Sequence, residues 1–157
     1  MRCAVPVRAS VRDLLTDLLG RKVSVSDADP FVLSEERRAI LATYRDDEGA
    51  MAAATVCDLR LAALAGAAIG MVPAEEAQLD DEGLGEELGE LFHEVVNVFA
   101  RLLNGPTTPH VALRDVYPVP GGVAPDVADL VLQPSTRTDY RVEIEGYGSG
   151  TMVLVSG

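Results

Sequence analysis

Glu90, Glu94, Asn97 and Arg101 recur at steps of four, three and four. On an α-helix, which turns about 100° per residue, such steps stack side chains in one row. Two carboxylates, a carboxamide and a guanidinium in a row offer charge, donors and acceptors to whatever lies against that flank. Asn97 is the informative member. Asn ranks low in helix propensity because its amide competes for nearby backbone groups, so its place on an exposed helix face asks for a reason other than stability. Spacing by itself favours a plainer reading, in which Glu90 and Asn97 are solvated and Glu94 makes a weak i,i+3 or i,i+7 polar contact. Glu75 and Gln78 repeat the acid-to-amide pattern elsewhere in the chain.

The segment that must position this row reads DEGLGEELGELFHEVVNVFARLLN, and its periodicity predicts one long helix from Asp81 to Asn104. Leu84, Leu88, Leu91, Phe92, Val95, Val98, Phe99 and Leu102 fall on one broad apolar face, as a helix laid on a core requires. Asp80 or Asp81 is placed to cap its start, and Asn104-Gly105-Pro106 breaks it.

Around this helix, residues 9–19 predict a first helix, with Val11, Leu14, Leu15, Leu18 and Leu19 on one face and Gly20 as its stop. Lys22 to Ser26 alternates as a short strand, and 38–45 with 50–57 reads as a hairpin joined at Asp46-Asp47-Glu48-Gly49. Those acids are read as turn residues and not as a divalent-metal site, because a turn needs Asp and Gly for its own backbone. Asp58 starts a helix, DLRLAALAGAAIG, whose Ala and Gly content implies close packing against a neighbour; Gly70 ends it and an acidic connector, 71–80, follows. Beyond the long helix the chain reads as strands at 109–117, 128–133, 138–146 and 150–156, with a hairpin turn at Gly146 to Gly150. The loop at Pro118 to Pro125 is read as an excursion between strands and not a phosphate cradle, on the ground that no helix follows its glycines. This order of elements predicts an α+β domain with helices gathered against a mostly antiparallel sheet.

Composition narrows the function. With 157 residues, 48% of them hydrophobic, the chain suits a single domain over 1–157 with one sizeable core. A formal net charge of −12 argues against nucleic acid or an anionic membrane as partner, since both call for a cationic surface. Arg8, Arg12, Asp13 and Asp17 interrupt any apolar leader, and no run reaches membrane-spanning length, so a soluble cytoplasmic protein is expected. The two cysteines, Cys3 and Cys57, lack metal spacing, and Cys57 reads as a buried structural thiol. His93 and His110, the only histidines, have no nucleophile-elbow context and are too few for a zinc site.

With the row read as Glu90-x-x-x-Glu94-x-x-Asn97, the segment ELFHEVVNVFA resembles the acidic-x-x-x-Glu-x-x-Asn signature of the CheC/CheX/FliY chemotaxis phosphatases. VRDLLTDLLGRKV is similar to that family's opening helix and strand, ATYRDDEGAMAAATV to its first hairpin, and DLRLAALAGAAIG to its short helix. The helix starting at Asp58 lacks Glu-x-x-Asn, so one motif copy is present and a CheX-like member is the nearer match. Two positions depart: Glu90 stands where Asp or Ser is common, and Arg101 where the family has a small residue.

The resemblance implies a CheC/CheX-like α+β fold with one long motif helix, and dephosphorylation of a CheY-like response regulator in chemotaxis or two-component signalling. By that carry-over Asn97 orients the attacking water and Glu94 pairs with the regulator's active-site Lys, with Glu90 and Arg101 as accessory positions. Arg101 could obstruct the partner, or meet a phosphate or one of the row's own carboxylates. The chain would hold no metal or cofactor of its own, Mg²⁺ coming with the phosphorylated receiver, and it would form a homodimer through an edge left by the strands around Arg141–Ile144 and Met152–Val155. The alternatives are a CheX-like module that docks a receiver or other partner without hydrolysis, and an unrelated small-molecule sensor.

Overall fold

Of the strands that the sequence pattern marks, all but 128–133 find partners on an antiparallel sheet. The computed structural model describes residues 3–80 and 83–157. In chain order these form α1 (Arg8–Leu19), β1 (Val23–Asp27), β2 (Ala39–Asp46), β3 (Met51–Asp58), α2 (Leu59–Ile69), α3 (Glu86–Phe99), β4 (Val111–Val119), α4 (Pro125–Leu132), β5 (Thr136–Ile144) and β6 (Gly148–Ser156). Short 3-10 turns lie at Ala74–Glu76 and Ala100–Leu103. Among the described residues one six-stranded sheet runs β1-β5-β6-β3-β2-β4, antiparallel at every pairing. The fold is therefore α+β, as expected.

Side-chain alternation splits the strands between two cores. On one face Ile40, Ala42 and Tyr44 of β2, Cys57 of β3, Val142 of β5 and Met152 and Leu154 of β6 meet α1, α2 and α3. On the other, Leu41, Ala54, Val56, Val153 and Val155 meet Phe31 and Val127 and Leu130 of α4. Local chemistry agrees with the expected limits of α1, α2 and the first hairpin, whereas the long helix expected over Asp81–Asn104 is α-helical only over Glu86–Phe99. Gly20 ends α1 at φ 67°, a left-handed position, and Asp58 caps α2 by accepting the Leu61 N–H at 2.8 Å. The Asp46 carboxylate accepts the N–H groups of Glu48 and Ala50, so that acid closes the hairpin turn.

Four expectations need correction. Residues 128–133 belong mostly to a helix, because Val127, Leu130 and Val131 meet the core with helical spacing and Pro125 occupies the first turn. A short apolar run is ambiguous between the two periods, and the tertiary contacts decided this one. Since α4 follows Gly121 and Gly122, the ground given against a phosphate cradle there fails; the loop's N-cap, Ala124, supplies no side-chain acceptor. The strand before it runs on through Pro118 to Val119, which an edge strand tolerates. β5 and β6 lie inside the sheet, and the edges are β1 and β4, so the edge expected from the C-terminal strands is absent.

The Ala and Gly content of α2 serves the close approach it implied. A Cβ at Gly66 would stand 2.8 Å from the Leu88 carbonyl oxygen and 3.3 Å from the Phe92 nitrogen, both backbone atoms of α3. Gly89, on α3 itself, is the converse, with nothing within 4 Å of such a Cβ. Gly66→Ala should therefore lower stability by about 1–3 kcal/mol through overpacking, and Gly89→Ala should raise it by about 0.5–1 kcal/mol through helix propensity. Urea unfolding midpoints of the two variants, moving in opposite directions, check both.

Candidate functional site

α3 exists because one side of it is apolar. Leu88, Phe92, Val95, Val96 and Phe99 are buried, and Glu86 and Glu87 meet the positive end of the helix in its first turn. Its N-cap position is Gly85; of the expected caps, Asp80 lies before that position with its Oδ2 3.9 Å from where a Gly85 Cβ would stand, and Asp81 lies outside the described residues. The buried arc differs in detail from the expected one. Val96 is buried, whereas Leu91, Val98 and Leu102 are half-buried, because α3 is wedged between the sheet and α2 instead of lying on one flat surface.

Glu90, Glu94, Asn97 and Arg101 are all exposed, and His93 beside them is exposed too. Ion pairs among the described residues join Arg8 to Asp27, Arg12 to Asp13, Arg45 to Asp126, His110 to Asp47 and Arg137 to Asp139. None of these draws on the row, which leaves its charges facing outward. An open hollow of about 450 Å³ adjoins it, lined by Glu86, Gly89, Glu90, His93 and Val116. A carboxylate and a carboxamide presented this way can pair with a cation and hold a water molecule on a second protein's surface.

Two residues that the sequence reading did not single out fix this end of the helix. The buried Tyr44 hydroxyl donates to the Val96 carbonyl at 2.7 Å. Burial pushes that phenol's pKa far up, so it stays a donor. Asn104 ties the following turn to β4: its Nδ2 donates to the carbonyls of Ala100 and Val111, each at 2.9 Å, and its Oδ1 accepts the Val111 N–H at 2.8 Å. A Tyr inside an apolar strand was the available signal for the first, since a buried phenol needs a partner. For Asn104 the sequence signals only a helix break, beside Gly105 and Pro106.

Beyond α3 the polar groups do other work. Cys3 and Cys57 are buried free thiols whose pKa values burial raises, which suits structural residues. Among the described residues no group of three or more His, Cys, Asp or Glu side chains is arranged to hold a metal ion. No helix among them is long and apolar enough to cross a membrane.

No protein-family model matches the chain, and no curated protein does. Among solved structures it is similar to FliY of Thermotoga maritima, with a TM-score of 0.57 and 16% identity over 97% of this chain and 85% of that one. It is similar also to a chain of the CheX–CheY–BeF3–Mg²⁺ complex from Borrelia burgdorferi, at a TM-score of 0.51 and 10% identity over 91% and 90%. A chain of the FliM–SpeE complex from H. pylori matches with a TM-score of 0.62 and 8% identity over 95% and 80%. The fold is that of the CheC/CheX/FliY proteins. At these identities the likeness speaks for the fold, and the site of this CheC/CheX/FliY-like chain rests on its own residues.

If Asn97 serves no packing role, removing its amide should not weaken the protein. Asn97→Ala is expected to leave stability unchanged or raise it by about 0.5 kcal/mol through helix propensity, as read from urea unfolding. Alkylation of the native protein with iodoacetamide should label neither cysteine until the chain unfolds.

Proposed function

We propose that this chain dephosphorylates the aspartyl phosphate of a CheY-like response regulator. The observation that carries the reading is the joint exposure of Glu94 and Asn97, one turn apart on a helix whose other side is locked into the core. A fold partner solved with CheY, BeF3 and Mg²⁺ supports it.

The chemistry asks little of the chain. Water attacks phosphorus in line, the P–O bond to the aspartyl carboxylate breaks, and aspartate and inorganic phosphate result. Phosphoryl transfer is loose, so positioning and charge stabilisation matter more than a strong base. The Asn97 carboxamide accepts a hydrogen bond from the water and aims it, and Glu94 pairs with the regulator's active-site Lys. Glu90, one turn before Glu94, adds to the negative face that meets this cation. The regulator brings the Mg²⁺, and the chain contributes no metal or cofactor. Its pathway would be chemotaxis or a related two-component system, and it would act as a homodimer, through β1 or β4, the edges of the sheet.

A second reading is favoured by Arg101. A long exposed cation stands four residues after Asn97, where the resembled signature has a small residue, and such a chain could dock a receiver without hydrolysing it. The two readings separate on a rate and an affinity. Asn97→Ala should lower phosphate release from an acyl-phosphorylated receiver about 100-fold while leaving binding to its BeF3–Mg²⁺ form nearly unchanged, because the amide acts in the transition state. Glu94→Ala should instead weaken that binding about tenfold. Wild-type protein that binds the receiver and never hastens phosphate loss leaves the docking module standing.

A further inference from the structure

The α-helix of the site does not end as a regular helix. Phe99 and Ala100 sit at φ −56°, ψ −26° and φ −54°, ψ −25°, and the N–H of Ala100 turns to the carbonyls of Asn97, three residues back, and Val98. The Asn104 N–H reaches the Arg101 carbonyl in the same way, at 3.4 Å. In a continued α-helix the Ala100 N–H would go to Val96. That carbonyl is instead taken by the Tyr44 hydroxyl, from the sheet. Tyr44 is itself held firmly: it is fully buried, its ring lies 6.4 Å from that of Phe99, and the registers of β2 with β3 and with β4 both shift beside it. Register shifts of this kind re-aim a side chain.

The switch changes where Arg101 points. Measured around the axis from Glu90, an α-helix puts Glu94 at about +40°, Asn97 at about −20° and Arg101 at about +20°, the middle of the row. Two steps of the wider 3-10 turn carry Arg101 to about +60°, past Glu94 and away from Asn97. We propose that Tyr44 is a positioning residue for the site: by holding the Val96 carbonyl it sets the 3-10 turn that swings Arg101 out of the space in front of Asn97. This inference rests on the phosphatase reading for its effect on rate, though not for its effect on the turn.

Tyr44→Phe removes the donor and keeps the ring. The Val96 carbonyl then lies buried without its partner, and the nearest replacement is the Ala100 N–H, whose recapture closes an α-turn and brings Arg101 back into the row. The test is a double-mutant cycle on the full chain, measuring phosphate release from an acyl-phosphorylated receiver together with binding of its BeF3–Mg²⁺ form. Tyr44→Phe should lower the maximal rate about tenfold with little change in affinity. Adding Arg101→Ala should recover about tenfold in that background and less than about threefold in the wild type. An equal effect of Arg101→Ala in both backgrounds would overturn the proposal, since a purely structural role for Tyr44 gives no such coupling. Through-hydrogen-bond NMR couplings on the wild-type protein decide the turn even if the Phe variant does not fold: the Ala100 amide should couple to the Asn97 carbonyl, and coupling to Val96 overturns the mechanism. A wild type inactive on every receiver of its cell overturns the phosphatase reading and the claim about rate with it, and the couplings then judge the turn by itself.

Discussion

The contact between α2 and α3 sets the rest of the molecule. At Gly66 the two backbones come close enough that a single methyl would meet the Leu88 carbonyl at 2.8 Å. That approach holds α3 against α2 on one side while Phe92, Val95, Val96 and Phe99 bury against the sheet on the other. With two flanks committed, the remaining one has a fixed direction. It carries Glu90, Glu94 and Asn97. Precise display of a few polar groups is worth more to positional chemistry than any one of their charges, and a helix wedged between two surfaces provides it at no local strain.

Polar contacts finish what packing begins. Helix ends leave carbonyls without partners, and here a side chain from β2 and another from the turn itself supply them. Tyr44 reaches the Val96 carbonyl and Asn104 reaches that of Ala100, so the last turn of α3 is tied to both β2 and β4. These ties sit on either side of Asn97 in sequence and face inward, while the amide they support faces out. The interior thus controls the geometry of a surface group, without touching it.

Much of this is legible in the amino-acid sequence. A 3.6-residue period announced α1, α2 and α3, capping chemistry at Gly20 and Asp58 marked the end of α1 and the start of α2, and alternation with turn residues announced the first hairpin, while α3 proved shorter at both ends than its pattern. α4 was not legible, because DVADLVL serves a strand or a buried helix equally until Val127 and Leu130 find the sheet beneath them. Sheet order was hidden for a similar reason: β1 joins β5 across more than a hundred residues, a pairing that no local pattern encodes. At the site, the exposed row followed from spacing. The 3-10 turn that displaces Arg101 did not, since it depends on a hydroxyl arriving from Tyr44, 52 residues away in sequence. Packing against α2 also moved Val96 inward and left Leu91 and Val98 half-buried, a rotation that a one-sided helix pattern does not contain.

Fold likeness reaches proteins solved with CheY and with SpeE, so architecture alone does not choose an activity, and the proposed one rests on the exposed Glu94 and Asn97. The direct measurement is single-turnover loss of phosphate from an acyl-phosphorylated receiver of the same cell as wild-type protein is added in increasing amount. The account predicts a rate that rises above the receiver's own hydrolysis and saturates with a binding curve. A rate that stays at the receiver's own value while the two proteins are shown to be bound would contradict it.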